Sequence, residues 1–274
     1  MKRLLPLIAL AALASTLAAC GGGGGGGSNT TSTGAISSVP KPIVYCVDTT
    51  YPPMESIVNG SAQGADIDIA NAVAKQLGST AKIQTTGFDV IIPALLHKKC
   101  NAIISSMTVT PERSKSVHFT PYIDVGAFLM VKKGNPDHIT DLASLSGKSA
   151  AVESSTTELA GLQAENKILQ NQGKTQITIK SYPADTAAAQ AILSGHVSAY
   201  FADAPPVLYY IRKTNGAFQT AGAQVETAPE GIATRPGDPL GAQINNAIQA
   251  LYLNGKMKQI LAKWQASQFA LKNG

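Results

Sequence analysis

The chain has 274 residues, 44% of them apolar and 14% charged, with 22 Lys and Arg against 17 Asp and Glu for a net charge of +5. No Lys/Arg cluster is interleaved with aromatic residues, so a nucleic-acid surface is excluded as an expectation. The length allows one large core or two modest domains and does not choose between them.

Lys2 and Arg3 precede an uncharged apolar run from Leu4 to Ala19, which is too short to span a bilayer as a mature helix and reads as a signal peptide over residues 1–19. The run ends in Leu17-Ala18-Ala19-Cys20, which resembles the lipobox of bacterial lipoproteins. That resemblance implies acylation at Cys20 and an exported, membrane-anchored protein on the periplasmic or cell-surface side. Without Lys2 and Arg3 the chain keeps 20 basic against 17 acidic residues, a net +3. Residues 20–40 carry no charge, and they include seven consecutive glycines and a Ser/Thr/Asn-rich stretch, so they are expected to form a flexible tether. The body then starts near Lys41. Cys46 and Cys100 remain in an oxidising compartment, either as a disulfide or as two small buried residues.

Ile43 to Val47 is a predicted strand, and the Asp48-Thr49-Thr50-Tyr51-Pro52-Pro53 segment after it is a polar loop. Asp66 or Asp68 is placed to cap a helix whose Ile69, Val73 and Leu77 repeat at helical spacing and which stops at Gly78. A second unit follows, with strand Ile83 to Thr85, helix Asp89 to Lys98 and strand Asn101 to Ser105. Phe128 to Lys132 reads as a strand, Asp141 to Gly147 as a short helix and Ser149 to Val152 as a strand. Thr156 to Gln172 is a helix, Ile177 to Ser181 a strand, Thr186 to Leu193 a helix and Val197 to Ala202 a buried strand ending at Asp203. Gly231 to Thr234 is one more strand, before amphipathic helices Pro239 to Asn254 and Lys256 to Gln265. Alternation of this kind predicts an α/β fold with mainly parallel sheets, whose ligands bind outside the carboxyl ends of the strands. Asp48, Ser105 to Arg113, Ser154 to Thr157 and Asp203 all follow such ends. No internal sequence repeat is found.

Several blocks together resemble the family 3 solute-binding proteins, which feed amino acids to ATP-driven importers. They are Asp48 to Glu55, Gly64 to Ala70, Phe88 to Leu95 and above all Asn101-Ala102-Ile103-Ile104-Ser105-Ser106-Met107-Thr108-Val109-Thr110-Pro111-Glu112-Arg113, followed by Phe119 to Tyr122. Weaker matches at Ser155 to Thr157, Ala199 to Asp203 and Gly231 to Pro239 extend the likeness over nearly all of the body. The resemblance implies a fold of the periplasmic-binding-protein type II kind, with two α/β lobes joined by a two-segment hinge. Residues 41–125 and 229–274 would form the first lobe and 126–228 the second, with crossovers near Asp124 to Phe128 and Val225 to Gly231. Hinged closure around a ligand is the switching design such a pair of lobes supports.

A receptor for an α-amino acid needs a bidentate cation for the carboxylate and an acid for the ammonium. By resemblance, Arg113 forks to the carboxylate with Thr108, Thr157 and nearby N–H groups, while Asp203 takes the ammonium with Ser106 as a further polar partner; Ser105 and Thr156 are nominated as ligand-binding beside them. Tyr51 and Phe88 match the aromatic walls. Asp48 and Glu153 map near the distal end of the ligand and favour a basic amino acid such as lysine, arginine or ornithine. The plainer readings are an Arg113–Glu112 ion pair, an Asp203 helix cap, an Asp48 turn bond at Thr50 or Tyr51, and Glu158 as an exposed helical residue. The sequence departs from the family at Ser155, where glycine is usual.

His97, His118, His138 and His196 are scattered without ligand spacing, and no nucleophile elbow or phosphate loop is present. No metal, cofactor or catalytic residue is therefore expected, although enzymes of dehydratase or lyase type share this fold. The expected partners are an amino acid, an ABC permease and, through the lipid, a membrane. A ligand-presenting sensor module is the alternative role, and a monomer is the expected state.

Overall fold

The computed structural model describes residues 38–225 and 227–272, all within one compact unit spanning 37–274. The expected signal peptide of residues 1–19, Cys20 and most of the expected tether lie outside the described residues. Val39 and Pro40, given to the tether by composition, are half-buried. Val39 packs on the first core, and the Pro40 carbonyl accepts a hydrogen bond from Ser79 Oγ at 2.6 Å.

Strand β1 (Ile43–Val47) shows why the sheet is buried on both sides. Ile43, Tyr45 and Val47 point to one core and Val44 and Cys46 to another, because successive side chains of a strand alternate faces. The loop predicted from Asp48 to Pro53 contains the short strand β2 (Thr50–Tyr51), which pairs with β3 (Glu55–Val58) just beyond it, and β3 with β4 (Ser61–Gln63), as an antiparallel sheet. Helix α1 (Ala65–Gln76) follows. Its N-cap position is Gly64, with φ 144°, where an added Cβ would stand 1.9 Å from the Met54 carbonyl oxygen, so only glycine fits. Asp66 and Asp68 lie inside the first turn and cap nothing.

Strand β5 (Ala81–Thr85) leads through a 3₁₀ turn at Phe88–Val90 into the short α2 (Ile91–Leu96), which replaces the longer helix expected from Asp89 to Lys98. Then come β6 (Ala102–Ile103), α3 (Pro111–Ser114) and β7 (His118–Val125). The chain enters a second sheet at β8 (Ala127–Lys132) and continues through β9 (Ser149–Glu153), α4 (Thr157–Asn171), β10 (Thr178–Tyr182), α5 (Asp185–Leu193), β11 (Ala199–Asp203), α6 (Ala204–Lys213) and β12 (Phe218–Ala221). It returns to the first sheet as β13 (Ala228–Thr234) and closes with α7 (Leu240–Leu253) and α8 (Lys256–Lys263). The segment expected to be a helix around Asp141 to Gly147 is a 3₁₀ turn at Ala143–Leu145.

The two sheets have the orders β5-β1-β6-β13-β7 and β10-β9-β11-β8-β12. In each, the first three strands are parallel and the fourth runs against both neighbours. The lobes thus share one topology although their sequences show no repeat. The antiparallel strands β8 and β13 are the ones next to the crossovers. Ala228 pairs with Val125, and the Val225 N–H donates to the Ala127 carbonyl, so the two connections run side by side.

Each sheet is covered on both faces. In the first, α1, α7 and α8 bury one core and α2 the other. In the second, Ala150, Val152, Ala199 and Phe201 face the core under α4, while Ala151, Tyr200 and Ala202 face the one under α5 and α6. Cys46 and Cys100 are joined as a disulfide with a Cα separation of 5.7 Å, which ties β1 to the turn before β6.

Candidate functional site

All eleven residues nominated from the sequence line one small cavity between the lobes, together with Glu55 and Glu158. The parallel strands explain the convergence, since β1, β6, β9 and β11 direct their carboxyl ends and following loops toward it.

From the first lobe, Asp48 follows β1. Its Oδ1 accepts from the Thr50 N–H at 3.0 Å and its Oδ2 from the Phe88 N–H at 2.9 Å, so the turn bond proposed for it is real and a second one fixes the Phe88 loop. The Asp48 N–H donates to Ser105 Oγ, which in turn donates to Glu55 Oε1, both at 2.9 Å. Ser106 sits at φ 40°, a left-handed conformation, and its N–H donates to Asp66 Oδ2 at 2.9 Å. Tyr122 also donates its hydroxyl to Asp66. Asp66, read as a cap, therefore anchors the Ser105–Ser106 turn from behind.

Arg113 is placed by a helix start. The Thr110 hydroxyl accepts its backbone N–H at 3.1 Å and Pro111 occupies the first turn. Its side chain does not pair with Glu112, which pairs with Lys115 on the surface. Arg113 Nη1 donates to the Thr108 carbonyl at 2.8 Å, and the guanidinium carbon stands 5.4 Å from the Phe88 ring centroid. Burial lowers the pKa of this guanidinium, while Glu158, Asp203 and Glu230 oppose that shift.

From the second lobe, Glu153 ends β9, and the Thr156 hydroxyl donates to its carbonyl at 2.9 Å while accepting the Leu159 N–H as the cap of α4. Thr156 thus lines the cavity with its hydroxyl already committed. Ser155 takes φ 63°, a left-handed conformation that glycine adopts without cost and other residues rarely adopt. Glu158, expected on the surface, is buried, and its Oε2 accepts from the Thr157 hydroxyl at 3.1 Å. Asp203 occupies the N-cap position of α6 but makes no capping bond.

Among the described residues, four hydrogen bonds cross the cleft. Tyr51 donates its hydroxyl to Asp203 Oδ2 at 2.7 Å, Arg113 Nη2 donates to the Ser155 carbonyl at 3.1 Å, the hydroxyls of Thr108 and Thr157 meet at 3.4 Å, and the Asp185 N–H donates to Thr50 Oγ1 at 3.1 Å. The cleft is closed.

The electrostatics are one-sided. Eight carboxyl groups are buried among the described residues. Asp48, Glu55, Glu153, Glu158 and Asp203 line the cavity, and Asp66, Asp185 and Glu230 stand behind them as direct electrostatic neighbours of Glu55, Glu153 and Asp203. Arg113 is the one cation among the lining residues. Burial, followed by Asp185 and Asp48, pushes Glu153 up to about 10. Burial pushes Asp185 up to about 8 and Asp66 to about 6. Asp203 is raised by burial and then by Glu158, and Glu230 by burial and then by Asp203. Glu55 Oε2, Ser106 Oγ, Glu153 Oε1, Asp185 Oδ2 and both carboxyl oxygens of Glu230 have no hydrogen-bond partner. Such a wall suits a ligand with excess positive charge and several N–H donors, and a carboxylate for Arg113.

Residues 43–267 match the family of bacterial extracellular solute-binding proteins, family 3. The ABC transporter arginine-binding protein 1 of Escherichia coli K12 is 35% identical over 237 residues, 83% of this chain and 92% of that one. Among solved structures, an ancestral arginine-binding protein bound to arginine superposes with a TM-score of 0.75 at 33% identity, covering 82% of this chain and 98% of its own. An ancestral amino acid-binding protein described as a precursor of cyclohexadienyl dehydratase gives 0.73 at 32%, covering 81% and 95%.

Proposed function

The chain belongs to the bacterial extracellular solute-binding proteins, family 3, and from that premise we propose that it captures a basic α-amino acid outside the cytoplasm and delivers it to an ABC permease. The observation that carries the reading is the cavity wall: one guanidinium faces five carboxyl groups, with three more behind them. An α-amino acid with a cationic side chain supplies one carboxylate and two cations, which matches that imbalance in sign. Arg113 forks to the carboxylate with Thr108 and Thr157 beside it, Asp203 and Ser106 take the ammonium, Tyr51 and Phe88 wall the aliphatic chain, and Asp48 and Glu153 face its distal charge. Because Arg113 and Asp203 belong to opposite lobes, a ligand that engages both favours the closed state, and the hinge lies in the two crossovers near 124–128 and 225–231. The ligand leaves unchanged. Cys20 carries a lipid after removal of residues 1–19, the glycine-rich segment tethers the body, and one copy acts alone.

A thermal-shift screen of the ligand-stripped protein with the standard amino acids and ornithine tests this. Arginine, lysine or ornithine raises the melting temperature and Arg113→Ala abolishes the rise. Binding stabilises the folded state by mass action, about 2.7 kcal/mol at a hundredfold excess over Kd. Stabilisation only by acidic or neutral amino acids overturns the basic specificity, and recovery of a chemically altered ligand overturns the binding-only role.

A further inference from the structure

Glu153 ends β9 and pairs in register with Tyr182 of β10, and Asp185 opens α5 just beyond that strand. The short connection brings the Asp185 backbone N–H against the Glu153 carboxyl group while the same N–H reaches Thr50 Oγ1 of the other lobe. Asp48 comes to the same place from the first lobe, facing Glu153. Three carboxyl groups from both sides of the cleft therefore meet at one end of the cavity. The Arg113 guanidinium acts on Glu158, Asp203 and Glu230, and Arg113 is not among the groups acting on Asp48, Glu153 or Asp185.

Two further facts favour a cationic partner at this place. Glu153 is 4% exposed and its Oε1, on the cavity wall, has no partner. Asp185 is 1% exposed, with Oδ1 held by the Tyr200 hydroxyl and Oδ2 without a partner. Buried acids side by side with free oxygens are costly unless a positive group or a proton comes to them. The expected chemistry of Asp48 and Glu153 does not account for a third acid behind them, since a neutral residue could equally accept the Tyr200 hydroxyl.

We propose that Asp185 is a specificity-determining residue, the third acid of a distal subsite with Asp48 and Glu153 that selects a cationic side-chain terminus over a neutral one of the same shape. This rests on the basic-amino-acid reading of the site. Glu153 meets the cation, and Asp185 acts through Glu153 and through its own charge as a positioning residue. Closure on the cation brings Asp48 to it and sets the Thr50–Asp185 bond.

The test is calorimetric titration of the ligand-stripped full chain with L-arginine and with L-citrulline, which keeps the shape and replaces the guanidinium by a neutral urea. Wild type is expected to prefer arginine at least a hundredfold. Asp185→Asn keeps the volume and the acceptor for Tyr200, and it is expected to weaken arginine at least tenfold while leaving citrulline within threefold. Glu153→Gln is titrated alongside and is expected to shift the ratio in the same direction. A wild type that prefers arginine, with Asp185→Asn weakening both ligands equally or neither, overturns the assignment to Asp185 alone. Equal binding of the two ligands by wild type overturns the subsite. If only L-lysine or L-ornithine, titrated alongside, binds, Asp185→Asn is expected to weaken it at least tenfold and an unchanged Kd overturns the assignment; binding of none of the four overturns the amino-acid reading together with it.

Discussion

The Tyr51 hydroxyl of the first lobe donates to Asp203 Oδ2 of the second at 2.7 Å, and so ties the acid proposed to receive the ligand ammonium to the far wall of the cleft. The bond exists only when the lobes are closed, and it lowers the cost of an Asp203 charge that burial and Glu158 oppose. A hydrogen bond to a charged group contributes about 1.5–3 kcal/mol. Tyr51→Phe is expected to weaken the basic ligand about tenfold or more in calorimetry. An unchanged Kd contradicts the role of this bond in closure.

The raised carboxyl groups give the ligand-free protein an unusual pH dependence. Asp66, Glu153 and Asp185 hold protons in the folded state to about 6, 10 and 8, above their ordinary values of 3.8, 4.5 and 3.8. The folded state therefore binds more protons than the unfolded state between those limits, and stability falls as pH rises through that window, by at most about 1.4 kcal/mol per pH unit for each group. The melting temperature of the ligand-free protein is expected to be higher at pH 5 than at pH 8. With a saturating basic ligand the difference shrinks, because a cation replaces the protons. A ligand-free melting temperature that rises from pH 5 to pH 8 contradicts the assignment.

The Cys46–Cys100 disulfide closes a sequence separation of 54 residues around α1 and α2. Constraining a loop of this length in the unfolded chain stabilises by about 2–4 kcal/mol. The Cys46→Ala/Cys100→Ala variant is expected to melt roughly 5–15 °C lower in scanning calorimetry, with unchanged ligand stoichiometry. The cysteines lie in the core on the α2 side and neither lines the cavity, although Phe88 of the cavity wall packs on that core, so a variant that folds but loses ligand binding contradicts a purely stabilising role for the disulfide.

The site was legible where a side chain carries a motif, and hidden where the fold alone brings a residue near. Arg113 stands in the Thr110-Pro111 helix start and Asp203 at the end of a hydrophobic strand, and each is where a reading of strand ends puts it. Glu55 was hidden because β2 to β4 are too short for an alternating pattern, and two prolines mask them. Asp185 and Glu230 carry no local signal, since their meaning depends on β10 lying against β9 and on β13 returning beside β6. Glu158 had one usable clue, an acid in the first turn of a helix that starts at a proposed site. Helix α6 was legible only through Asp203 as a possible cap, and Pro205 and Pro206 fit its first turn, where proline is tolerated. The repeated sheet order was invisible because topology survives without sequence likeness.

Titration of the ligand-stripped protein with L-arginine and with agmatine tests the central claim most directly. Agmatine keeps the guanidinium and the amine and lacks the carboxylate that Arg113 is proposed to fork. One arginine is expected to bind per chain, with agmatine at least a hundredfold weaker in wild type and the two nearly equal in Arg113→Ala. Agmatine binding as tightly as arginine, or no binding of arginine, lysine or ornithine, contradicts a site built for an α-amino acid with a cationic side chain.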